Sequence, residues 1–391
     1  MSAPFVLAAG GTGGHLFPAQ ALAGELMRRG GRVVVMTDGR GHNYGNAFPG
    51  AEIATVPAAT FVGRSFLGRF AALGVITLGV ITALMKLVNL RPRAVVGFGG
   101  YPSLPVMMAA SLARVPSALH EQNAVLGRVN RLLAPRVAKI AATFPFARFA
   151  PKDSARVVFT GNPVRPEAAA LRDGGYSPPA DGGPIRLLIF GGSQGARVLS
   201  ELVPQALALL PQDLRARLDI TQQVRADDLD MVESAYRASG LKAQVAKFFT
   251  DLPRRMGEAH LIIARSGAST LSELTVIGRP AILIPYPFAM DDHQAANAAV
   301  LDKAGAAWVV RQDALDAAGL SQLLMEIFTH PQSLSDRAAA NSGFSGLTAE
   351  EYTTTCASPR FSARWPIATG MPSSRSRLTF ALSDESEPCT R

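Results

Sequence analysis

The chain has 391 residues, 48% hydrophobic and 18% charged, a globular balance with core material for two domains. Its 39 Lys and Arg outnumber 30 Asp and Glu, and the formal charge of +9 points to an acidic partner (nucleic acid, anionic lipid or a phosphate-bearing substrate) beside the plainer role of solubility. The two cysteines, Cys356 and Cys389, sit in the final stretch, which excludes a disulfide framework or Cys-based metal site in the body and fits a reducing compartment.

The opening "MSAPFVLAAGG" lacks a basic leader and runs straight into glycines, so it reads as a first strand rather than a signal peptide. "GGTGGH" follows, then a helix-like "LFPAQALAGELMRRG". The runs "RVVVMT", "RAVVGFG", "PSALH" and "VAKIAA" read as further strands. Between them "FLGRFAALGVITLGVITALMKLVNLRPR" is uncharged from Phe70 to Met85 and flanked by Arg64, Arg69, Lys86, Arg91 and Arg93. It is short for a membrane span and reads either as a buried helix or as one that lays apolar surface on anionic lipid. Phe66, Phe70, Leu73, Thr77 and Ile81 fall at helical spacing on that second reading.

"RDGGYSPPADGGP" (Arg172 to Pro184) reads as an exposed connection. The pattern then restarts: "IRLLIFGGSQGA" is again strand, glycine loop and helix, followed by strands in "LDITQQ", "AQVAKFF", "AHLIIA", "PAILIP" and "AAWVV". Apolar strands alternating with helices imply parallel sheets covered on both faces. The expected fold class is α/β: two Rossmann-like, doubly wound domains facing across a cleft, residues 1–165 and 185–340, joined by a linker over 166–184. Ligands belong beyond the C-terminal ends of the strands. From Asn341 onward no helical or strand period is sustained and Ser, Thr, Pro and Arg accumulate, so 341–391 reads as a disordered tail, either a translated wrong frame or a divergent extension.

Glycine loops between strand and helix offer backbone N–H groups and a positive helix end to an anion, most often phosphate. Gly11-Thr12-Gly13-Gly14-His15-Leu16 lacks the third glycine of a dinucleotide fingerprint, and neither loop has the P-loop lysine. Gly191-Gly192-Ser193-Gln194-Gly195 does match the G-x-S-x-G elbow of a serine hydrolase, with His260 or His293 available later in the chain. That alternative leaves the first loop unexplained. Polar clusters stand at other strand ends: His120-Glu121-Gln122-Asn123, then Asn162 with Arg165, then Arg265-Ser266-Gly267 before a helix that carries Glu273. The last is Asp291-Asp292-His293-Gln294 with Asn297, where a capping aspartate is the plainer role for Asp291. No cluster has metal-ligand spacing.

Taken in order, "GGTGGHLFPA", "GFGGYPSLP", "HEQNAVLGRVNR", "TGNPVR", "GGSQGA", "RSGASTLSEL" and "DDHQAANA" resemble the motifs of the MurG family of bacterial transferases, from about Phe5 to about Asp336. The resemblance implies a GT-B fold and inverting transfer of N-acetylglucosamine from UDP-N-acetylglucosamine to an undecaprenyl-diphosphate-linked muramoyl-pentapeptide. It implies no cofactor, no metal in the chemistry and no nucleic acid. It also implies peripheral attachment to the cytoplasmic face of the inner membrane, through Phe66, Phe70 and Leu73 here, and contact with cell-wall synthesis and division proteins. Residues matching the sugar-nucleotide site are Thr12, Gly13, Gly14, Asn123, Arg165, Ser193, Phe249, Ala268, Ser269, Thr270, Leu271, Ser272, Glu273 and Gln294. Among them Ser193 would meet the diphosphate, the Phe249 backbone the uracil, Glu273 the ribose, and Gln294 and Asn123 the sugar hydroxyls. An attacking hydroxyl must lose a proton, and histidine titrates nearest neutrality. His15 is the favoured base and His293 the alternative. Members of the family end in an amphipathic helix that crosses back to the first domain; here "SLSDRAAANSGFSG" starts toward one and loses the pattern.

Overall fold

The computed structural model describes residues 2–11, 13–39, 48–60, 65–192 and 195–343. Among the described residues thirteen strands form two sheets. The first holds β1 (Phe5–Ala8), β2 (Val33–Thr37), β3 (Glu52–Thr55), β4 (Ala94–Gly97), β5 (Ser117–Glu121), β6 (Lys139–Ala142) and β7 (Val157–Phe159) in the order β3-β2-β1-β4-β5-β6-β7. The second holds β8 (Ile185–Phe190), β9 (Leu218–Gln223), β10 (Ala243–Ala246), β11 (Leu261–Ala264), β12 (Ala281–Leu283) and β13 (Ala307–Val309) in the order β10-β9-β8-β11-β12-β13. Every strand pair is parallel. Both are doubly wound sheets whose order reverses beside the first strand, between β1 and β4 and between β8 and β11.

The near-continuous apolar strands fit this burial. Side chains alternate across a strand, so Phe5, Leu7, Val33 and Val35 feed one core while Val6, Ala8, Val34 and Met36 feed the core on the opposite face. The second sheet divides likewise, with Leu187, Ile189, Leu261 and Ile263 on one face and Leu188, Phe190, Ile262 and Ala264 on the other. Ala124, Phe144 and Val164 of the first half pack into that last core, which joins the two halves. The sequence reading misses β3 and β7. These are the two outer strands of their sheet, only partly buried, and neither "EIAT" nor "VVF" carries the long apolar run of a central strand.

Two expected segments carry more structure than the sequence pattern shows. Residues 172–184 are an exposed connection as expected, but the linker is pinned to the second domain: Pro166–Ala169 form a short helix whose Ala168 is buried in that domain's core, and the Tyr176 hydroxyl donates to the His260 carbonyl at 2.9 Å. Arg279 and Arg217 donate to the Gly175 and Gly183 carbonyls. Nor does order stop at Asn341. The helix Gln332–Gly343 includes it, and its buried amide donates to the carbonyls of Arg279 (3.1 Å) and Ala306. A polar residue held by buried hydrogen bonds leaves no apolar signature, so the sequence pattern ends before the helix does. The rest of the expected tail lies outside the described residues.

The uncharged segment is one 25-residue helix, Phe66–Leu90, started by the Ser65 side chain on the Gly68 N–H. Ala72, Ile76, Gly79, Ala83 and Leu87 form its buried stripe. A Cβ on Gly79 would lie 2.0 Å from the Pro57 carbonyl oxygen, so only glycine permits this close approach. The opposite face is apolar and exposed.

Candidate active site

Four helices begin where the chain leaves a strand beside a switch point: Gly13–Arg28 after β1, Gly100–Leu112 after β4, Arg197–Ala208 after β8 and Ala268–Ile277 after β11. The last three have no side-chain cap, so their first-turn N–H groups are open to a ligand. Each crevice is thus bounded by two helix N-termini.

In the first crevice His15 stands half-buried near the start of its helix. Its ring lies against Gly99 and Gly100, both at positive φ; Cβ atoms there would come within 3.4 and 3.3 Å of the imidazole. His15 Nδ1 is 2.8 Å from the Phe98 carbonyl, which can only accept, so Nδ1 carries the proton and Nε2 keeps its lone pair. Nε2 has no protein partner among the described residues. Behind it lie Gln122 and His120, both fully buried. Burial pushes His120 down to about 4, although the Gly161 carbonyl works the other way, so it stays neutral near pH 7. Glu121 organises the next turn: its carboxylate accepts from the Gly127 N–H (2.8 Å), Asn130 Nδ2 (2.8 Å) and the Asn123 N–H (3.1 Å). Asn162, one residue after Gly161, has a buried amide with neither polar atom satisfied.

Across the cleft the second loop is built so that only glycine fits. A Cβ on Gly191 would meet the Ala196 nitrogen at 2.4 Å and one on Gly195 the Arg225 side chain at 2.4 Å, while Gly192 and Gly195 take positive φ. Thr12 and Ser193 lie outside the described residues. The helix expected from Ala268 does start there and brings Glu273 to Arg165: Nε–Oε1 is 2.6 Å and Nη2–Oε2 2.8 Å, a two-pronged ion pair between junction and second domain. Burial works against the Arg165 charge, but the bond and charge of Glu273 prevail and hold the guanidinium above its ordinary value. Both carboxylate oxygens expected to hold a ribose are therefore taken in this state.

Other expected donor residues divide by which atoms are free. Leu271 and Ser272 are buried, with Ser272 Oγ on the Ala268 carbonyl and the Leu271 N–H on the Gly267 carbonyl, so neither side chain is open to a ligand. Ser269 Oγ is buried without a partner. Phe249 is buried under the Arg255 guanidinium, 4.3 Å from its ring centre. Gln294 Oε1 accepts the Tyr286 N–H at 3.0 Å. Asn123 Oδ1 accepts from Asn297 Nδ2 at 3.0 Å, and Asn297 Oδ1 takes the Ala124 N–H at 2.8 Å. Asn297, buried completely, is a staple between the domains. Arg265 is structural, donating to the Ile284 carbonyl and to Gln312.

Asp291 does not cap a helix. Its carboxylate takes Arg128 (3.2 Å) and Arg131, and its carbonyl takes Arg148, all three from the first domain. Asp291 and Asp292 both take positive φ, and the Arg128 hydrogen bond keeps the Asp291 carboxyl below the usual carboxylate range. Sequence order flagged this cluster, but the partners stand more than a hundred residues away. No group of three His, Cys, Asp or Glu fit to hold a metal occurs among the described residues.

On the outer face, Phe66 (72% exposed), Phe70 (60%) and Leu73 (52%) line up with Leu78, Ile81, Met85 and Val88 in a solvent-facing apolar stripe. The rings of Phe66 and Phe70 meet edge to face at 4.9 Å.

Residues 5–142 match the glycosyltransferase family 28 N-terminal domain and 186–351 the family's C-terminal domain. The chain is 50% identical over 339 residues to a Rhodospirillum centenum protein named UDP-N-acetylglucosamine–N-acetylmuramyl-(pentapeptide) pyrophosphoryl-undecaprenol N-acetylglucosamine transferase, covering 86% of this chain and 89% of the relative. A Methylobacterium nodulans protein of the same name is 53% identical over 342 residues, covering 86% and 91%. Among solved structures, Acinetobacter baumannii MurG superimposes with a TM-score of 0.72 at 29% identity, over 90% of this chain and 98% of its own. The calicheamicin glycosyltransferase CalG4, at 17% identity and a TM-score of 0.61 over 91% and 95%, shares the fold.

Proposed function

The chain belongs to the MurG family within glycosyltransferase family 28, and from that premise we propose how its two crevices divide the reaction. The protein is an N-acetylglucosaminyltransferase that moves N-acetylglucosamine from UDP-N-acetylglucosamine onto undecaprenyl-diphosphate-linked N-acetylmuramoyl-pentapeptide, the step from lipid I to lipid II in peptidoglycan synthesis. Nothing in the comparisons supports a serine hydrolase.

In our reading the second crevice takes the donor. The Gly191–Gly195 loop and the Arg197 helix receive the diphosphate, and the Ala268 helix receives the nucleoside. Glu273 leaves Arg165 for the ribose, which frees Arg165 for the growing negative charge as the bond to UDP breaks. Helix N-termini and backbone N–H groups are preorganised for that charge and need no metal. The first crevice takes the acceptor diphosphate at Gly10–Gly14. His15 Nε2 removes the proton from the muramoyl 4-hydroxyl as it attacks the anomeric carbon from the face opposite UDP, inverting it. The observation that carries this is the His15 tautomer: Nδ1–H is committed to the Phe98 carbonyl, which leaves Nε2 as the acceptor.

The exposed stripe of Phe66–Leu90 supports docking on the cytoplasmic face of the inner membrane. Arg69 and Arg91 beside it suit anionic headgroups, and the lipid acceptor is presented there with the cell-wall synthesis and division proteins. The decisive assay is transfer from labelled UDP-N-acetylglucosamine to a lipid I analogue, with and without EDTA. Transfer that survives EDTA supports the metal-free reading; transfer abolished by EDTA overturns it.

A further inference from the structure

We propose that Gln122 is a positioning residue for His15: it fixes the orientation and tautomer of the ring and steadies it, once protonated, through its own carbonyl oxygen. The proposal rests on His15 being the base.

The argument is an accounting of donors and acceptors. The Phe98 carbonyl accepts from His15 Nδ1 at 2.8 Å and from Gln122 Nε2 at 2.9 Å, using both its lone pairs. Because that carbonyl cannot donate, the amide must face it with nitrogen. The second amide proton meets His120 Nδ1 at 3.1 Å, so that nitrogen is unprotonated and His120 carries its proton on Nε2, 3.4 Å from the Gly161 carbonyl. Gln122 Oε1 is left 3.3 Å from His15 Nδ1. A flipped amide would set oxygen against the Phe98 oxygen and its NH2 against the His15 donor. One arrangement therefore satisfies the whole chain, and it leaves His15 with its lone pair on Nε2.

Burial maintains the arrangement. Gln122 is 1% exposed and His120 not at all, so a mispaired group there would have no water to turn to. His293, the other candidate base, is held from its own turn: its Nδ1 bonds the Met290 carbonyl three residues back. The ionisable groups around the His15 network are otherwise engaged. Glu121 on β5 is held by Asn130 and two backbone N–H groups, Asp38 after β2 accepts from the Tyr101 hydroxyl, and Arg165, over the Phe17 ring, is paired with Glu273.

The experiment compares pH profiles of kcat/KM for wild type, Gln122→Met, Gln122→Glu and His15→Ala, with UDP-N-acetylglucosamine and a lipid I analogue. Removing the amide dipole disfavours the charged imidazole, so Gln122→Met moves the acid limb to lower pH and lowers kcat about tenfold with KM for the donor unchanged. A carboxylate at the same place favours the charged ring, so Gln122→Glu moves that limb to higher pH. A merely structural residue would not shift the limb in opposite directions. Adding Gln122→Met to His15→Ala changes the residual rate no further. Gln122→Met keeps length and apolar volume, and decides alone if Gln122→Glu fails to fold. Unshifted limbs, or a Gln122→Met loss that multiplies with His15→Ala, overturn the proposal. Near-normal turnover by His15→Ala overturns the base reading itself; lost turnover there beside a wild-type profile in the Gln122 variants overturns only the role of Gln122.

Discussion

At the switch point of the first sheet, between β1 and β4, a half-buried histidine rests on a glycine pair and is backed by the buried side chains of Gln122 and His120. At the corresponding place in the second sheet, between β8 and β11, stand a glycine loop, two helix N-termini without side-chain caps and, at the junction, one ion pair. The strand order around each switch point is the same. On the reading proposed above, the first crevice adds a proton acceptor to its anion-binding helix ends, and the second holds the donor's diphosphate. The fold repeats one strand order in the two halves, and the side chains at the two switch points differ.

The sharpest way to break that contrast is His15→Ala. Loss of a general base lowers kcat by about 10²–10⁴ with little change in the KM for UDP-N-acetylglucosamine. A steady-state assay showing near-normal turnover would remove the chemical distinction between the crevices. The matching change on the other side is Arg165→Ala, which leaves the buried Glu273 carboxylate unpaired. It should lower stability by about 1–3 kcal/mol and, because Arg165 acts on the charge that grows as the bond to UDP breaks, lower kcat more than it raises the KM for the donor, read by denaturant unfolding and kinetics on the same variant.

The buried network of the first crevice has its own pH signature. His120 sits at about 4 in the folded protein against its ordinary 6.5, so between those values the unfolded chain takes up a proton that the folded chain refuses. Its contribution is complete above about pH 6.5 and is lost as pH falls toward 4, by up to about 3 kcal/mol. Urea unfolding across that range should show the decline, and His120→Asn should flatten it. An equal decline in His120→Asn would assign it to other groups. The mildest effect on the fold is expected on the outer face of the first domain. Phe70→Asp with Leu73→Asp should leave stability within about 0.5 kcal/mol, since both side chains face solvent. Flotation with anionic vesicles should nonetheless lose the protein; unchanged flotation would sink the membrane role of this helix.

Much of this was legible in the chain as written. The central strands announce themselves as apolar runs because they are buried on both faces, and the glycine loops because close backbone approach admits nothing larger at Gly191 or Gly195. The ordered motifs carry the family resemblance in the sequence alone. Edge strands β3 and β7 were hidden because half-exposed segments of three or four residues carry no period. The last turn of Gln332–Gly343 was hidden because Asn341 is held by hydrogen bonds rather than by apolar contact.

The sequence by itself determined the two α/β halves, the glycine loops, the polar clusters at strand ends and the histidines from which a base is chosen. Each is a local property, set by periodicity or by the steric demand of a single residue. Tertiary structure alone decided the pairings. Asp291 turned from an expected helix cap into a ligand of three arginines, Glu273 became the partner of Arg165, and Asn297 became the staple at Asn123. His15 acquired its tautomer from Phe98, and Gln122 stands behind it 107 residues along the chain. Hydrogen bonds and ion pairs act over a few ångströms, and only the folded chain brings partners so far apart in sequence within that reach.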